Sequence, residues 1–158
     1  MMRTFVIGAL LALGGAGLAQ AGELRPLSAQ KLCLSLEDST GAKPDGVPLV
    51  LKPCNGGPEQ QFRKGLQDTL GVEERCVQMA GQPKAGQSTG GPPLVVGTCT
   101  GAFGQRWGIS LDGRFVGQNF QCVQVQGKGQ AGDAVAMADC RKRPDEVANQ
   151  RWAVYGKL

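Results

Sequence analysis

Apolar and polar positions alternate along three short segments of the chain. Residues 32–36 read Leu-Cys-Leu-Ser-Leu, and residues 76–79 and 122–125 show the same period of two. Such alternation is typical of half-buried β-strands. A turn-rich segment follows each of them, and a second apolar run follows each turn. These runs are residues 47–51, 93–96 and 134–137. The pattern predicts three pairs of short strands.

Helical periodicity is missing from the rest of the chain. No stretch of useful length after residue 22 carries an apolar stripe with a period of 3.6 residues. Glycine accounts for 25 of the 158 residues, which suits a chain with many tight turns. We therefore predict an all-β fold.

A three-residue sequence, glutamine followed by any residue and then an aromatic one, occurs three times. The glutamines are Gln60, Gln105 and Gln150, and the aromatic residues are Phe62, Trp107 and Trp152. Successive glutamines are 45 residues apart. A period of this length indicates repeats that must pack together to bury their apolar faces. We predict one domain, residues 22–158, with repeats at about 27–70, 71–116 and 117–158.

Each repeat carries two cysteines ahead of its glutamine. Six cysteines in an exported chain point to a disulfide framework, for which fifteen connectivities are possible. The simplest pairing that treats the repeats alike lies within each of them. The predicted bridges are Cys33 with Cys54, Cys76 with Cys99, and Cys122 with Cys140.

Residues 1–21 predict a secretory signal peptide. Arg3 supplies the positive start, residues 4–18 are almost wholly apolar or glycine, and Ala19-Gln20-Ala21 offers a cleavage site of small residues. The apolar run is short and broken by glycine for a membrane span, and no second long apolar segment follows it. We expect a soluble protein, secreted or periplasmic after cleavage.

The net charge of +4 comes from scattered residues and does not favour a nucleic-acid partner. The densest basic cluster, residues 141–143, is followed by Asp145 and Glu146, which indicates a solvated loop.

The repeat resembles the unit of the ricin B-type lectin family. The shared features are the cysteine with its alternating strand, the turn, the apolar run, the second cysteine and the Gln-x-aromatic sequence, over roughly residues 27–158. The resemblance implies a β-trefoil, in which three such units surround a pseudo-threefold axis.

The Gln-x-aromatic sequence has a physical reason in such a fold. Three equivalent aromatic rings can meet on the axis, each burying about 150–250 Å². Phe62, Trp107 and Trp152 are therefore predicted core residues. A glutamine amide has two donors and an acceptor and can pair with backbone groups of the adjoining loop.

In the family, a sugar pocket combines an aspartate two residues after the first cysteine, an aromatic ring two before the second, and an asparagine before the glutamine. The aspartate positions here are Ser35, Gln78 and Gln124. The ring positions are Lys52, Gly97 and Ala138, and the asparagine positions are Glu59, Gly104 and Asn149. The third repeat alone keeps the Asn-Gln pair, so the familial site is degenerate.

The resemblance thus implies a candidate carbohydrate site in the third repeat. Its residues are Gln124, Asp139, Asn149 and Gln150, with Tyr155 as a possible nearby ring. The alternative is that these are ordinary surface and loop residues. Without a stacking ring, binding of a simple monosaccharide should be weak.

The sequence speaks against an enzyme. It contains no histidine, which removes the commonest general base and metal ligand. The cysteines have bridging roles, and no Gly-x-Ser-x-Gly, phosphate-loop or zinc-helix motif is present. No metal or cofactor is expected.

The sequence therefore predicts a non-catalytic binding domain, a monomer with a glycan or glycoconjugate as its ligand. A protein-interaction domain, such as an accessory binding subunit or an inhibitor, is the alternative. It would use the two segments that depart most from the repeat, residues 81–93 and 141–146.

We expect Trp107→Ala to lower the free energy of unfolding by about 3–5 kcal/mol, because a core ring would be lost. Denaturant unfolding measures this change. A loss below about 1 kcal/mol would place the ring on the surface, where it could stack on a sugar.

Overall fold

The structure, a computed structural model, describes residues 21–38, 45–81, 90–143 and 147–158. The predicted signal peptide falls almost entirely on residues 1–20, which lie outside this range. The described residues form twelve short β-strands and three 3-10 helices, and this confirms the all-β prediction. No helix in them is long and apolar enough to cross a membrane.

Each repeat contributes four strands. The first four are β1 (Gly22–Pro26), β2 (Leu32–Leu36), β3 (Leu49–Pro53) and β4 (Phe62–Lys64). The next four are β5 (Leu70–Val72), β6 (Arg75–Met79), β7 (Leu94–Gly97) and β8 (Trp107–Ile109). The last four are β9 (Phe115–Gly117), β10 (Cys122–Val125), β11 (Val135–Ala138) and β12 (Trp152–Gly156). The 3-10 helices are Pro58–Gln60, Leu66–Asp68 and Phe103–Gln105.

The first and fourth strands of the repeats form a six-stranded barrel. Strands β12, β1, β4 and β5 are neighbours in one sheet, and β8 and β9 are neighbours in another. The bridges Thr69↔Arg106 and Arg114↔Arg151 join β5 to β8 and β9 to β12. Every barrel strand therefore has a neighbour on each side, so the ring closes on itself.

The second and third strands of each repeat form hairpins, β2–β3, β6–β7 and β10–β11. Isolated bridges connect the hairpins to one another, among them Val50↔Ala134 and Pro93↔Ala136. The same hydrophobic cluster contains buried residues of the hairpins and of the barrel. The hairpins thus cap the barrel, as a β-trefoil requires.

The centre of the core is shared by all three repeats. The aromatic side chains are almost fully buried: Phe62 is 0%, Trp107 4% and Trp152 4% exposed. Both tryptophans line one small internal cavity together with residues from the first strand of every repeat. These residues are Leu24, Leu70 and Phe115. The structure therefore places the three aromatic residues in the core.

Both indole rings also hydrogen-bond to the backbone. Trp107 Nε1 donates to the carbonyl of Val77 at 3.0 Å, and Trp152 Nε1 donates to the carbonyl of Val123 at 3.2 Å. Each acceptor follows the first cysteine of its repeat. The indoles thus fix the hairpin against the barrel, and neither ring is free to stack on a ligand.

The three disulfides lie within the repeats, as predicted. Cys33 pairs with Cys54, Cys76 with Cys99 and Cys122 with Cys140, over separations of 21, 23 and 18 residues. In the chain-entropy model each loop of this length contributes about 3 kcal/mol.

The connection between β5 and β6 has an unusual backbone. It is a two-residue turn, because Val72 pairs with Arg75, and its central residues Glu73 and Glu74 have φ of 45° and 64°. Positive φ at both positions is the pattern of a type I′ hairpin turn, which favours Asn-Gly. Side chains with a Cβ are disfavoured in this region.

Replacing both turn residues by this preferred pair should therefore raise the free energy of unfolding. We expect the double substitution Glu73→Asn with Glu74→Gly to add about 1–2 kcal/mol, since Asn and Gly adopt this backbone at lower cost. Urea unfolding measures the change. Glu37→Asn, at an exposed residue outside the left-handed region, is the control and should stay within about 0.5 kcal/mol. If the double variant were no more stable than the original protein, the backbone of Glu73 and Glu74 would not be strained.

Candidate functional site

The glutamine of each repeat holds the backbone on both sides of the second cysteine. In the second repeat, Gln105 Oε1 accepts from the amide of Thr100 at 2.8 Å, and Gln105 Nε2 donates to the carbonyl of Thr98 at 2.7 Å. Gln60 makes the equivalent bonds to Asn55 and Pro53. These backbone groups would otherwise be buried without partners.

The third repeat has the same arrangement. Gln150 is fully buried, its Oε1 accepts from the amide of Arg141 at 2.7 Å, and its Nε2 donates to the carbonyl of Asp139 at 2.9 Å. The Nε2 group also donates to Gln124 Oε1 at 2.6 Å. Gln105 donates to Gln78 in the same way at 2.8 Å. The glutamine therefore orients the residue that stands where the family has its aspartate.

A pocket of about 520 Å³ opens beside Gln124. Its walls come from the end of β10 and the turn after it, from the segment before β12, and from the β1–β2 turn. The polar side chains that line it are Ser28, Gln124, Gln126, Lys128, Arg141 and Asn149. The third repeat thus has a concave site with converging polar groups, as binding sites commonly do.

Backbone contacts fix the walls of this pocket. The amide of Ser28 donates to the carbonyl of Ala148 at 3.1 Å, and this bond joins the β1–β2 turn to the segment before β12. Gly129, with φ of +77°, approaches the same turn so closely that a Cβ on it would lie 3.1 Å from Ala29 Cβ. The carboxylate of Asp133 accepts from the amides of Gly129 and Gln130, both at 2.8 Å. The turn that carries Lys128 is therefore fixed by the carboxylate of Asp133 and by its close packing against the β1–β2 turn.

The lining side chains give the pocket a positive character. Lys128 and Arg141 are cations, and none of the described lining residues is acidic. Gln124 supplies an amide where the family has a carboxylate. Asn149 lines the pocket as well, and its Oδ1 is buried and accepts no hydrogen bond from the described residues.

The structure separates the four predicted site residues. Gln124 and Asn149 line the pocket, and Gln150 lies behind Gln124 with its amide engaged. Asp139 does not line it, because its carboxylate accepts from Gln121 Nε2 at 3.0 Å. Tyr155 lies on β12 with Arg25 stacked 4.1 Å above its ring, and it is not among the lining residues either.

No aromatic ring takes the place of the familial platform among the described lining residues. Ala138 occupies that position, and it is buried opposite Cys122 in the β10–β11 hairpin. A sugar in this pocket must therefore be held by polar groups and not by stacking.

Several lining residues were missed by the sequence analysis. Ser28 comes from another repeat, and nothing local in the sequence associates it with Gln124. Arg141 directly follows Cys140. Gln150 hydrogen-bonds to the backbone on both sides of this cysteine, so the threefold repeat of the glutamines could have identified Arg141. Lys128 lies in a segment that the sequence identifies only as turn-rich. Of the two segments predicted for protein interaction, residues 82–89 and 144–146 lie outside the described residues.

The role of Gln150 can be tested with a side chain of similar length. Gln150→Met should lower the free energy of unfolding by about 2–4 kcal/mol, because the Arg141 amide and the Asp139 carbonyl would each lose a buried partner. Thermal or urea unfolding checks this. Gln130→Met, at an exposed residue whose side chain makes no hydrogen bond to the described residues, is the control and should change stability little. A loss equal to that of the control would show that the buried amide is dispensable.

A scan against protein-family models finds no match for the chain. A search of curated proteins likewise finds no relative.

Solved structures are similar in fold at low sequence identity. The agglutinin from Abrus precatorius superposes with a TM-score of 0.69 at 15% identity, covering 85% of this chain and 48% of the agglutinin chain. This chain thus spans about half the length of that protein. The designed threefold-symmetric protein ThreeFoil matches with a TM-score of 0.69 at 18% identity, over 85% of this chain and 97% of its own.

The C-terminal half of an earthworm R-type lectin, solved in complex with GalNAc, matches with a TM-score of 0.68 at 11% identity. The match covers 87% of this chain and 99% of that lectin half. Together with the strand order and the three bridges, these likenesses show that the chain has a β-trefoil fold.

Proposed function

We propose that this protein is a non-catalytic carbohydrate-binding domain that uses the third-repeat pocket, and that its preferred glycans carry a negative charge. The observation that carries the proposal is a concave polar pocket in which Lys128 and Arg141 stand among amide groups with no described acidic residue. The abundance of sugar-binding proteins with this fold, such as the earthworm lectin with its GalNAc, supports the ligand class.

The charge of the pocket selects the kind of sugar. An aspartate accepts hydrogen bonds from two adjacent hydroxyl groups and thus suits a neutral sugar. Gln124 offers a weaker, uncharged amide in that place, whereas cationic side chains form charge-assisted hydrogen bonds with a carboxylate or sulfate. Uronic acids, sialic acids and sulfated sugars therefore fit the pocket better than galactose or its neutral relatives.

The absence of a stacking ring at Ala138 affects affinity. Stacking in aromatic pairs contributes about 0.5–1.5 kcal/mol, and this pocket has to bind a sugar without a comparable contribution. The site is also an open depression, so a single sugar unit buries little area. We expect weak binding of monosaccharides and stronger binding of longer chains whose additional units reach the surrounding surface.

An extracytoplasmic location agrees with this function. Three disulfides persist in oxidising compartments, and residues 1–21 have the pattern of a cleaved signal peptide. We propose that the protein is secreted or periplasmic and acts as a monomer on glycans outside the cytoplasm.

A charge exchange in the pocket tests the proposal. Gln124→Glu keeps the length of the side chain and its acceptor for Gln150, but it adds a negative charge to the pocket. We expect affinity for an acidic oligosaccharide to fall about tenfold or more, because like charges repel at short range. Lys128→Gln should weaken the same ligand by about two- to fivefold, the effect of losing one exposed ion pair. Titration calorimetry with uronic-acid and neutral oligosaccharides of equal length measures both changes.

The second repeat supplies a matched control. Gln78→Glu makes the same chemical change at a residue that also accepts from a buried glutamine but does not line the pocket. Its affinity for acidic oligosaccharides should equal that of the unmodified protein. The proposal fails if no oligosaccharide on a broad glycan array binds to the protein. The proposed preference for acidic glycans fails if neutral and acidic oligosaccharides bind with equal affinity. It also fails if Gln124→Glu and Gln78→Glu have the same effect on binding.

A further inference from the structure

The strand pairing aligns the three repeats residue by residue on the outside of the barrel. Arg25 pairs with Ala153, Gly71 with Arg63, and Val116 with Gly108. Arg25, Gly71 and Val116 are therefore equivalent positions. Three residues after the core aromatic, the equivalent positions are Gly65, Ser110 and Tyr155.

Where β12 of the third repeat pairs with β1 of the first, these positions carry large side chains that pack over the Cys33–Cys54 disulfide. The Arg25 guanidinium lies 4.1 Å above the ring of Tyr155, and its Nη2 is 2.6 Å from Glu23 Oε2. The same carboxylate oxygen lies 3.5 Å from Cys33 Sγ. An aromatic ring, a guanidinium and a carboxylate thus form one stack against the Cys33–Cys54 bridge.

Where β4 of the first repeat pairs with β5 of the second, the equivalent positions carry smaller residues. Gly65 replaces Tyr155, Gly71 replaces Arg25 and Thr69 replaces Glu23. A groove of about 550 Å³ occupies this region, and Gly65, Thr69, Gly71 and the Cys76–Cys99 bridge line it. The groove is therefore equivalent to the space that Tyr155 and Arg25 fill between the third and first repeats.

The rim of the groove has two further features. Leu66 is 88% exposed there and adds an apolar surface to the rim. Four of the five non-glycine residues with positive φ among the described residues lie in the two turns beside it. They are Gln67, Asp68, Glu73 and Glu74. Strained backbone of this kind concentrates at functional sites.

The groove is lined by charges of both signs, with Arg63, Lys64 and Arg75 beside the carboxylates of Glu73 and Glu74. Lys64 pairs with Asp68 at 3.2 Å, and Arg75 pairs with Asp45. Arg63 lines the groove as well. Glu74 is exposed at the rim, and it makes no ion pair with another residue in the described part of the chain. Its carboxylate can therefore accept hydrogen bonds from a guanidinium that enters beside it.

We propose that this groove binds an exposed peptide segment of a partner protein that presents an aromatic side chain next to an arginine. The ring would lie over the disulfide between Gly65 and Gly71 against Leu66, and the guanidinium would stack on it and meet Glu74. The stack of Arg25 on Tyr155 between the first and third repeats shows that the equivalent surface accommodates such a pair. The groove is separate from the glycan pocket, so this site does not depend on sugar binding.

The probe for this site is the peptide acetyl-Arg-Gly-Tyr-amide, in which alternate side chains share one face of an extended strand. Titration into ¹⁵N-labelled protein, purified from a host that exports it, should shift the amide signals of Leu66, Gly71 and Thr100. Peptides with glycine in place of the arginine or the tyrosine should bind about fivefold more weakly, since each removes the cation–π contact. Absence of shifts at these amides, or equal binding of the three peptides, would overturn the proposal.

Filling the groove from within gives a second test. Gly71 lacks positive φ, and a Cβ on it would meet the nearest atom, the Arg75 carbonyl oxygen, at 3.4 Å. Gly71→Arg should therefore fold, restore the side chain of the first repeat and abolish peptide binding. Gly108→Arg adds the same side chain at an exposed position that does not line the groove, and it should bind the peptide normally. Normal binding by Gly71→Arg would contradict the site.

The rim carboxylate is tested by two further variants. Glu74→Gln should weaken the arginine-containing peptide about fivefold and leave the glycine-for-arginine peptide unchanged. The double substitution Glu73→Asn with Glu74→Gly should do the same in a protein that is more stable than the original, so misfolding cannot explain the loss. Unaltered binding of the arginine peptide by both variants would exclude Glu74 as the acceptor. Acidic oligosaccharides should bind all of these variants normally, which separates a failure here from a failure of the glycan proposal.

Discussion

The structure depends on a buried glutamine amide that is used three times. In each repeat the amide spans the second cysteine and pairs with a backbone N–H on one side of it and a carbonyl on the other. A loop that carries a disulfide close to the core would otherwise bury several unpaired backbone groups, at about 1–3 kcal/mol each. The aromatic residue two positions later anchors the same segment in the shared core. One short sequence therefore fixes the loop, the hairpin and the barrel strand together.

This arrangement leaves the outer side chains free to differ between repeats. The backbone around each disulfide is held by groups that do not face solvent, so exchanges on the surface do not disturb it. In the third repeat, Lys128 and Arg141 make a cationic pocket. Between the first and second repeats, glycines at positions 65 and 71 leave a groove, and between the third and first, Tyr155 and Arg25 fill the equivalent space. A symmetric scaffold thus carries three different surfaces.

The sequence predicted the scaffold well because its determinants are periodic and local. The spacing of Gln60, Gln105 and Gln150, the pairs of cysteines and the alternating strands each recur in register, and three copies make chance agreement improbable. The candidate sites were predicted less completely. Ser28 reaches the glycan pocket from another repeat, through a backbone hydrogen bond that no local pattern reveals. The groove arises from side chains that are missing, and glycines at 65 and 71 look like ordinary turn residues until the strand register aligns them with Tyr155 and Arg25.

The β5–β6 turn connects the stability of the fold with the chemistry of its surface. A hairpin turn with positive φ at two consecutive positions is most stable with Asn-Gly, yet this chain has Glu73 and Glu74 there. Natural sequences depart from the locally preferred residue mainly where another requirement outweighs it. The two glutamates line a groove whose equivalent between the third and first repeats is filled by a ring and a guanidinium, and Asn-Gly would supply no carboxylate there. The local strain is therefore explained most simply by a need for negative charge beside the groove.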